Sequence, residues 1–159
     1  MSITIFTDGS AKGNPGKGGY GVVMISGKHR KELSQGFLLT TNNRMELLAV
    51  IVGLENIKLL NADVVIYSDS KYVVDAVEKK WLFNWEKKLF KGKKNSDLWI
   101  RFLSLYKKHT VRFIWIKGHN NNIENDRCDS LAVSAAEGLN LISDSWYENQ
   151  LKNNDPSLF

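Results

Sequence analysis

Four acids and one histidine carry the chemistry open to this chain of 159 residues: Asp8, Glu46, Asp69, Asp129 and His119. Asp8 closes the run ITIFTD (3–8), in which Ile3, Ile5 and Thr7 alternate with Thr4, Phe6 and Asp8. Both faces carry bulk, so the run reads as a central strand covered on two sides and ending on an acid. A carboxylate there is costly unless something pairs with it, although an aspartate that merely starts a turn is the plainer alternative. Asp69 repeats the arrangement behind DVVIY (63–67); the competing role is a helix N-cap, which Ser70 would serve equally. Glu46 stands three residues after Asn43, the spacing of a capping box with Asn43 as N-cap. The same glutamate could instead reach the end of the Asp8 strand, and one oxygen cannot do both. Asp126 suits a helix N-terminus, whereas Asp129 lies a turn further in, where a dipole role is weaker. His119, in KGHNNN, reads alone as a solvated loop residue.

The elements that must position these groups follow from pattern. Strands read at 20–26 and 31–39 around a polar turn, giving an antiparallel meander with the first strand. A long helix opens at 41–46 and runs to about residue 60. A buried strand at 63–67, a helix at 71–79, a helix at 97–107, a strand at 111–116 and a helix at 124–137 complete an α/β pattern. The glycines between Gly9 and Gly19 read as a loop for close backbone approach to a ligand. After Gly138 the pattern weakens; Trp146 and Tyr147 are expected to pack back on the domain, and 153–159 to fray.

In this arrangement two acids end neighbouring strands and two enter on helices from the same side. Four carboxylates in one place repel and raise one another's pKa values. Hard divalent cations relieve that conflict, and an all-oxygen ligand set suits Mg²⁺. A pair of such ions serves in-line displacement at phosphate. Charge points the same way. Residues 79–94 hold seven lysines and one acid, Glu86, so this segment carries +6 of a whole-chain +5 and leaves the remainder at −1. A concentrated basic patch fits a polyanion, although a solvated lysine-rich helix is the bland alternative. Trp81, Phe83, Trp85 and Phe90 interleave with those lysines, as phosphate and sugar contacts would require, with half of them expected to pack inward. The length suits one domain, the single Cys128 excludes an internal disulfide, and no apolar run is long enough to cross a bilayer. A reducing, cytoplasmic setting is therefore expected.

Five strings in order sharpen this picture: TDGS (7–10), GNPGKGGYG (13–21), TNNRMEL (41–47), YSDSKYV (67–73), and KGH followed by EN, RCD and LA (117–132). Together they resemble bacterial type 1 ribonuclease H. The resemblance implies a ribonuclease H-like α/β fold with a five-stranded mixed sheet, order 3-2-1-4-5, flanked by helices. It implies a catalytic domain over 1–142 with a C-terminal tail over 143–159. It implies a monomeric cytoplasmic endonuclease that hydrolyses the RNA strand of RNA–DNA hybrids with two Mg²⁺ ions, Mn²⁺ being a possible substitute, and leaves 3′-hydroxyl and 5′-phosphate ends. Asp8, Glu46, Asp69 and Asp129 would hold the metals, with His119 assisting proton transfer or product release. Gly9, Asn14 and Asn42 would read the RNA minor groove. Thr41 and Asn95 would grip a DNA phosphate. Trp81, Trp85, Lys87, Lys88 and Phe90 match the basic protrusion that holds the DNA strand. Lys71 stands where glutamine is common in the family, and Phe90 where tryptophan often stands. The alternatives are a non-catalytic hybrid- or duplex-RNA-binding module on the same fold, and a structural α/β domain with a basic face.

Overall fold

The computed structural model describes residues 2–118 and 122–154. β1 (Ser2–Gly13), alternating in its first half, pairs with β2 (Gly16–Ser26), buried over most of its length, and β2 with the more polar β3 (His29–Thr40), an antiparallel meander joined by short turns. β4 (Asp63–Ser68) and β5 (Thr110–Trp115) add parallel to the other edge of β1, through helical crossovers. The order β5-β4-β1-β2-β3-β6 contains the expected 3-2-1-4-5 arrangement, with one strand more. That strand, β6 (Leu141–Ile142), pairs parallel with Gly36 and Phe37. Two residues carry too little period for a strand to be read from sequence.

The helices are α1 (Asn42–Glu55), α2 (Lys71–Glu78), α3 (Trp81–Lys87), α4 (Ser96–Tyr106), α5 (Ile123–Glu137) and α6 (Ser145–Asn153). Among the described residues no helix is long and apolar enough to cross a membrane. α1 is the central one: Arg44 through Ile51, then Gly53 and Leu54, are all buried, which explains why its sequence is apolar on every side. It lies over the face of β1 that carries Ile5, while α5 lies over the opposite face. Close approach of α5 depends on glycine. A Cβ at Gly21 would sit 2.2 Å from the Cys128 carbonyl oxygen, and one at Gly19 2.5 Å from that of Ala132. Trp99, Phe102 and Phe113 fill the space beneath α4, with Trp99 edge-on to both Phe102 and Trp85.

The segment expected to be a ligand-approach loop differs from that reading. β1 continues past Asp8 to Gly13, and Lys12↔Lys17 and Gly13↔Gly16 still pair. Gly19 and Gly21 of β2 are packing positions under α5, Gly18 packs against Thr40 and Met45, and only the hairpin turn at Asn14-Pro15 interrupts the β1–β2 ladder. The expected N-cap of α1 also shifts by two residues: Thr41 caps the helix, its hydroxyl accepting from the Arg44 N–H at 3.2 Å.

A buried cation ties the C-terminal segment to this frame. Arg44 donates to both carboxylate oxygens of Asp144 (2.6 and 3.0 Å) and to both of Asp97 (2.9 and 2.8 Å). Thr40 donates its hydroxyl to Asp144 at 2.8 Å. The guanidinium also lies over the rings of Trp146 and Tyr147, 5.1 and 5.7 Å from their centroids.

Candidate active site

Asp8 occupies a particular point in the sheet. The parallel β1–β4 ladder runs from Ser2↔Asp63 to Phe6↔Tyr67 and goes no further, while β1 itself continues beside β2. Past Phe6 the two strands part, and the carboxylate stands at that opening. Asp69 follows the end of β4 on the other side of it. Ser70 caps α2 through the Val73 N–H at 3.2 Å, so capping makes no claim on Asp69.

Glu46 arrives from the other layer. A Cβ at residue 9 would fall 2.3 Å from the Glu46 backbone nitrogen, so only glycine lets the first turn of α1 lie against β1 here. With Thr41 as the cap, Glu46 is released from the capping-box role. Its Oε2 is buried and has no donor among the described residues. Oxygens of Asp8, Glu46 and Asp69 all lie within 4.8 Å of one another.

Burial and mutual repulsion set the electrostatics of the three acids. Burial, then the charge of Asp69, pushes the Asp8 carboxyl from 3.8 up to about 7, against a single stabilising Gly9 N–H at 2.9 Å and the contact with Glu46. Glu46 is also pushed well above the usual carboxylate range, first by burial and then by Asp8 and Asp69. The Asp8–Glu46 contact becomes a hydrogen bond only when one of the two carries a proton. A divalent cation satisfies what a proton satisfies only in part: it supplies positive charge to every oxygen at once. The donorless Glu46 oxygen and the hard all-oxygen set therefore fit Mg²⁺ or a similar ion.

Asp129 stands apart from the three. It is half-buried on α5, outside the 4.8 Å cluster, yet close enough that its charge helps to raise Asp8. Gly118 packs against Asp69, and His119 lies outside the described residues. Lys71 is exposed, its ammonium 4.8 Å from the centroid of Trp115, whose indole N–H donates to the Asp69 carbonyl at 3.1 Å. Sequence reading missed Trp115.

The remaining candidates fall into two groups. Asn14 Oδ1 accepts from the Asn42 N–H at 3.2 Å, which places both beside Thr41. Gly9 is buried and its N–H is already given to Asp8. Asn95 donates its amide to the Tyr72 hydroxyl at 2.9 Å and accepts from Arg44 at 3.3 Å. On the basic segment Lys87 and Lys88 are exposed and Trp81 is 45% exposed, with Lys79 over its ring. Trp85 is half-buried under Lys93, and Phe90 is buried, so Phe90 offers no free ring face.

Comparison with known proteins decides the family. The RNase H family model matches residues 1–137. The chain belongs to the RNase H family. A relative from Trichodesmium erythraeum, named Ribonuclease H, is 54% identical over 151 residues, covering 92% of this chain and 96% of that one. One from Desulforamulus reducens, of the same name, is 55% identical over 147 residues, covering 89% and 92%. Among solved structures, LC9-RNase H1, described as a type 1 RNase H with the type 2 active-site motif, superposes with a TM-score of 0.78. It shares 28% identity over 98% of this chain and 82% of its own. LC11-RNase H1 in complex with an RNA/DNA hybrid gives a TM-score of 0.67 at 27% identity over 85% of this chain and 96% of its own. This RNase H chain is an enzyme of that class on sequence and fold together.

Proposed function

We propose that this RNase H is a Mg²⁺-dependent endonuclease that cuts the RNA strand of RNA–DNA hybrids by a two-metal-ion mechanism. The products are a 3′-hydroxyl and a 5′-phosphate, and the enzyme works in the cytoplasm as a monomer, with residues 1–142 as its catalytic domain. The observation that carries the reading is the convergence of Asp8, Glu46 and Asp69 within 4.8 Å at the parting of β1 and β4. Bound ions would supply Lewis-acid stabilisation of charge on the reacting phosphate and a water made acidic enough to attack.

The chain's own groups supply the rest. Asp8, Glu46 and Asp69 would hold the ions, with Asp129 as a fourth ligand. Glu46 also approaches the 2′-hydroxyl beside the scissile phosphate. His119 would assist proton transfer or product release. Lys71, exposed beside Trp115, holds a neighbouring phosphate. Thr41 keeps a hydroxyl proton after capping α1, and Asn95 keeps one amide N–H after serving Tyr72, so both can donate to a DNA-strand phosphate. Gly9, Asn14 and Asn42 line the RNA side. Trp81, Trp85, Lys87 and Lys88 face the DNA strand, with Phe90 shaping the protrusion from beneath.

The test is a substrate panel: labelled hybrid, RNA duplex and DNA duplex, each with Mg²⁺ or EDTA. Cleavage confined to the RNA strand of the hybrid, and lost in EDTA, is the expected result. Binding without cleavage would instead favour a pure hybrid-binding module.

A further inference from the structure

A groove lies away from the three acids. Its volume is about 670 Å³, in the range of ligand sites rather than surface dimples. One wall carries Thr41 and Asn95, and the basic segment adds Lys93 and Lys94. The far wall is α6, presenting Trp146 and Tyr147 and then Gln150, Leu151 and Asn154. The RNase H family match ends at residue 137, so α6 lies outside it.

Three features say what the groove takes. Among the described residues no carboxylate lines it, whereas two lysines and several side-chain amides do, which is donor chemistry for phosphate. Glu148, the acid in the first turn of α6, is not among the lining residues. The aromatic planes of Trp146 and Tyr147 offer flat surface for sugars, and they are held from behind by the Arg44 guanidinium. Finally, α6 cannot drift relative to Asn95: Asp144, directly before α6, and Asn95 both bind Arg44. Both walls are therefore fixed to one buried cation.

We infer that α6 forms a second grip on the DNA strand, extending its track beyond the phosphate held at Thr41 and Asn95 into the groove between Lys93–Lys94 and Gln150–Asn154. The inference rests on the reading of this chain as an enzyme acting on RNA–DNA hybrids. It gives the C-terminal helix a substrate-binding role in addition to its anchoring through Asp144.

Charge placed on the exposed face of α6 tests it. Gln150→Glu and Gln150→Lys are compared with the unaltered residue, all three in an Asp8→Asn background so that the hybrid stays whole. Binding of an 18-base-pair hybrid is followed by fluorescence anisotropy across a salt series. Kd is expected to rise about fivefold for Gln150→Glu and to fall for Gln150→Lys at low salt, with the difference shrinking as salt rises. Methylphosphonate linkages in the DNA strand should abolish the difference, and the same change in the RNA strand should not. Equal weakening by both substitutions would mean structural damage to α6 and would overturn the inference, as would no effect from either. Failure of the enzymatic reading looks different: the unaltered chain would not cleave the hybrid with Mg²⁺.

Discussion

At the scale of single residues, Asp8 and Glu46 are set against the folded state when no metal is present. A carboxyl whose folded pKa lies above its unfolded value binds more protons in the native chain. Its stabilising contribution is complete below the unfolded value and is lost as pH rises through the folded one. For Asp8 that window runs from 3.8 to about 7, and Glu46 shifts in the same direction. In EDTA, stability measured by urea denaturation should therefore fall across this range. Asp8→Asn removes one buried charge and should flatten the fall, gaining on the order of 2 kcal/mol at pH 7. Mg²⁺ should raise the Tm of the unaltered protein at pH 7 far more than that of the variant. A variant less stable than the unaltered protein in EDTA would contradict the electrostatic account. The three clustered acids were legible in sequence because each follows a strand or opens a helix in a recognisable string. Asp144 was not, since its partner Arg44 lies a hundred residues away and the pattern around it is weak. One signal was available: an arginine in the first turn of a helix apolar on every side has to be buried and paired.

At the scale of elements, caps and close approaches decide which carboxylates are available. Thr41 and Ser70 take the capping roles that local pattern offered to Asn43 and Asp69, and this leaves Glu46 and Asp69 for the site. Most element positions were read within a few residues because strands and helices alternate cleanly along the chain, but the helix read to about residue 60 ends at Glu55, the first strand runs on to Gly13, and α3 and α6, set in weaker patterns, were not read. The glycines between Gly9 and Gly19 were misread as a loop for a physical reason. Glycine marks both turns and tight packing, and only the tertiary partner, α1 over Gly9 and α5 over Gly19 and Gly21, tells them apart. Gly21→Ala tests that assignment. Its methyl group would fall 2.2 Å from the Cys128 carbonyl oxygen, so α5 must move. A loss of about 2–3 kcal/mol is expected by urea denaturation, comparable to overpacking elsewhere. Because Asp129 rides on α5 one residue after Cys128, hybrid cleavage should also fall at temperatures where the variant remains folded. Full activity in a folded Gly21→Ala protein would show that the α5 seat does not set the position of Asp129.

At the scale of the whole molecule, charge is divided: the acids lie at the parting of β1 and β4, and the lysines stand along 79–94. A hybrid bridging the two regions would bring its phosphates to both. Each lysine that neutralises a phosphate releases counterions, so binding should weaken steeply with salt, and Lys87→Gln with Lys88→Gln should make the dependence shallower by about one to two in log–log slope. Binding insensitive to salt would remove the basic segment from the interface. The Arg44 clasp works at this scale as well, fastening the C-terminal segment to α1 and to Asp97 at the start of α4.

The central claim is that catalysis needs the carboxylate of Asp8 while the fold and hybrid binding do not. Hybrid cleavage and hybrid affinity should be measured on the same preparations of the unaltered protein and Asp8→Asn in Mg²⁺. The expected result is a loss of cleavage of roughly a thousandfold or more, with Kd changed by only a few fold, as removal of a metal-holding group predicts. Cleavage by Asp8→Asn at the rate of the unaltered protein would contradict the account.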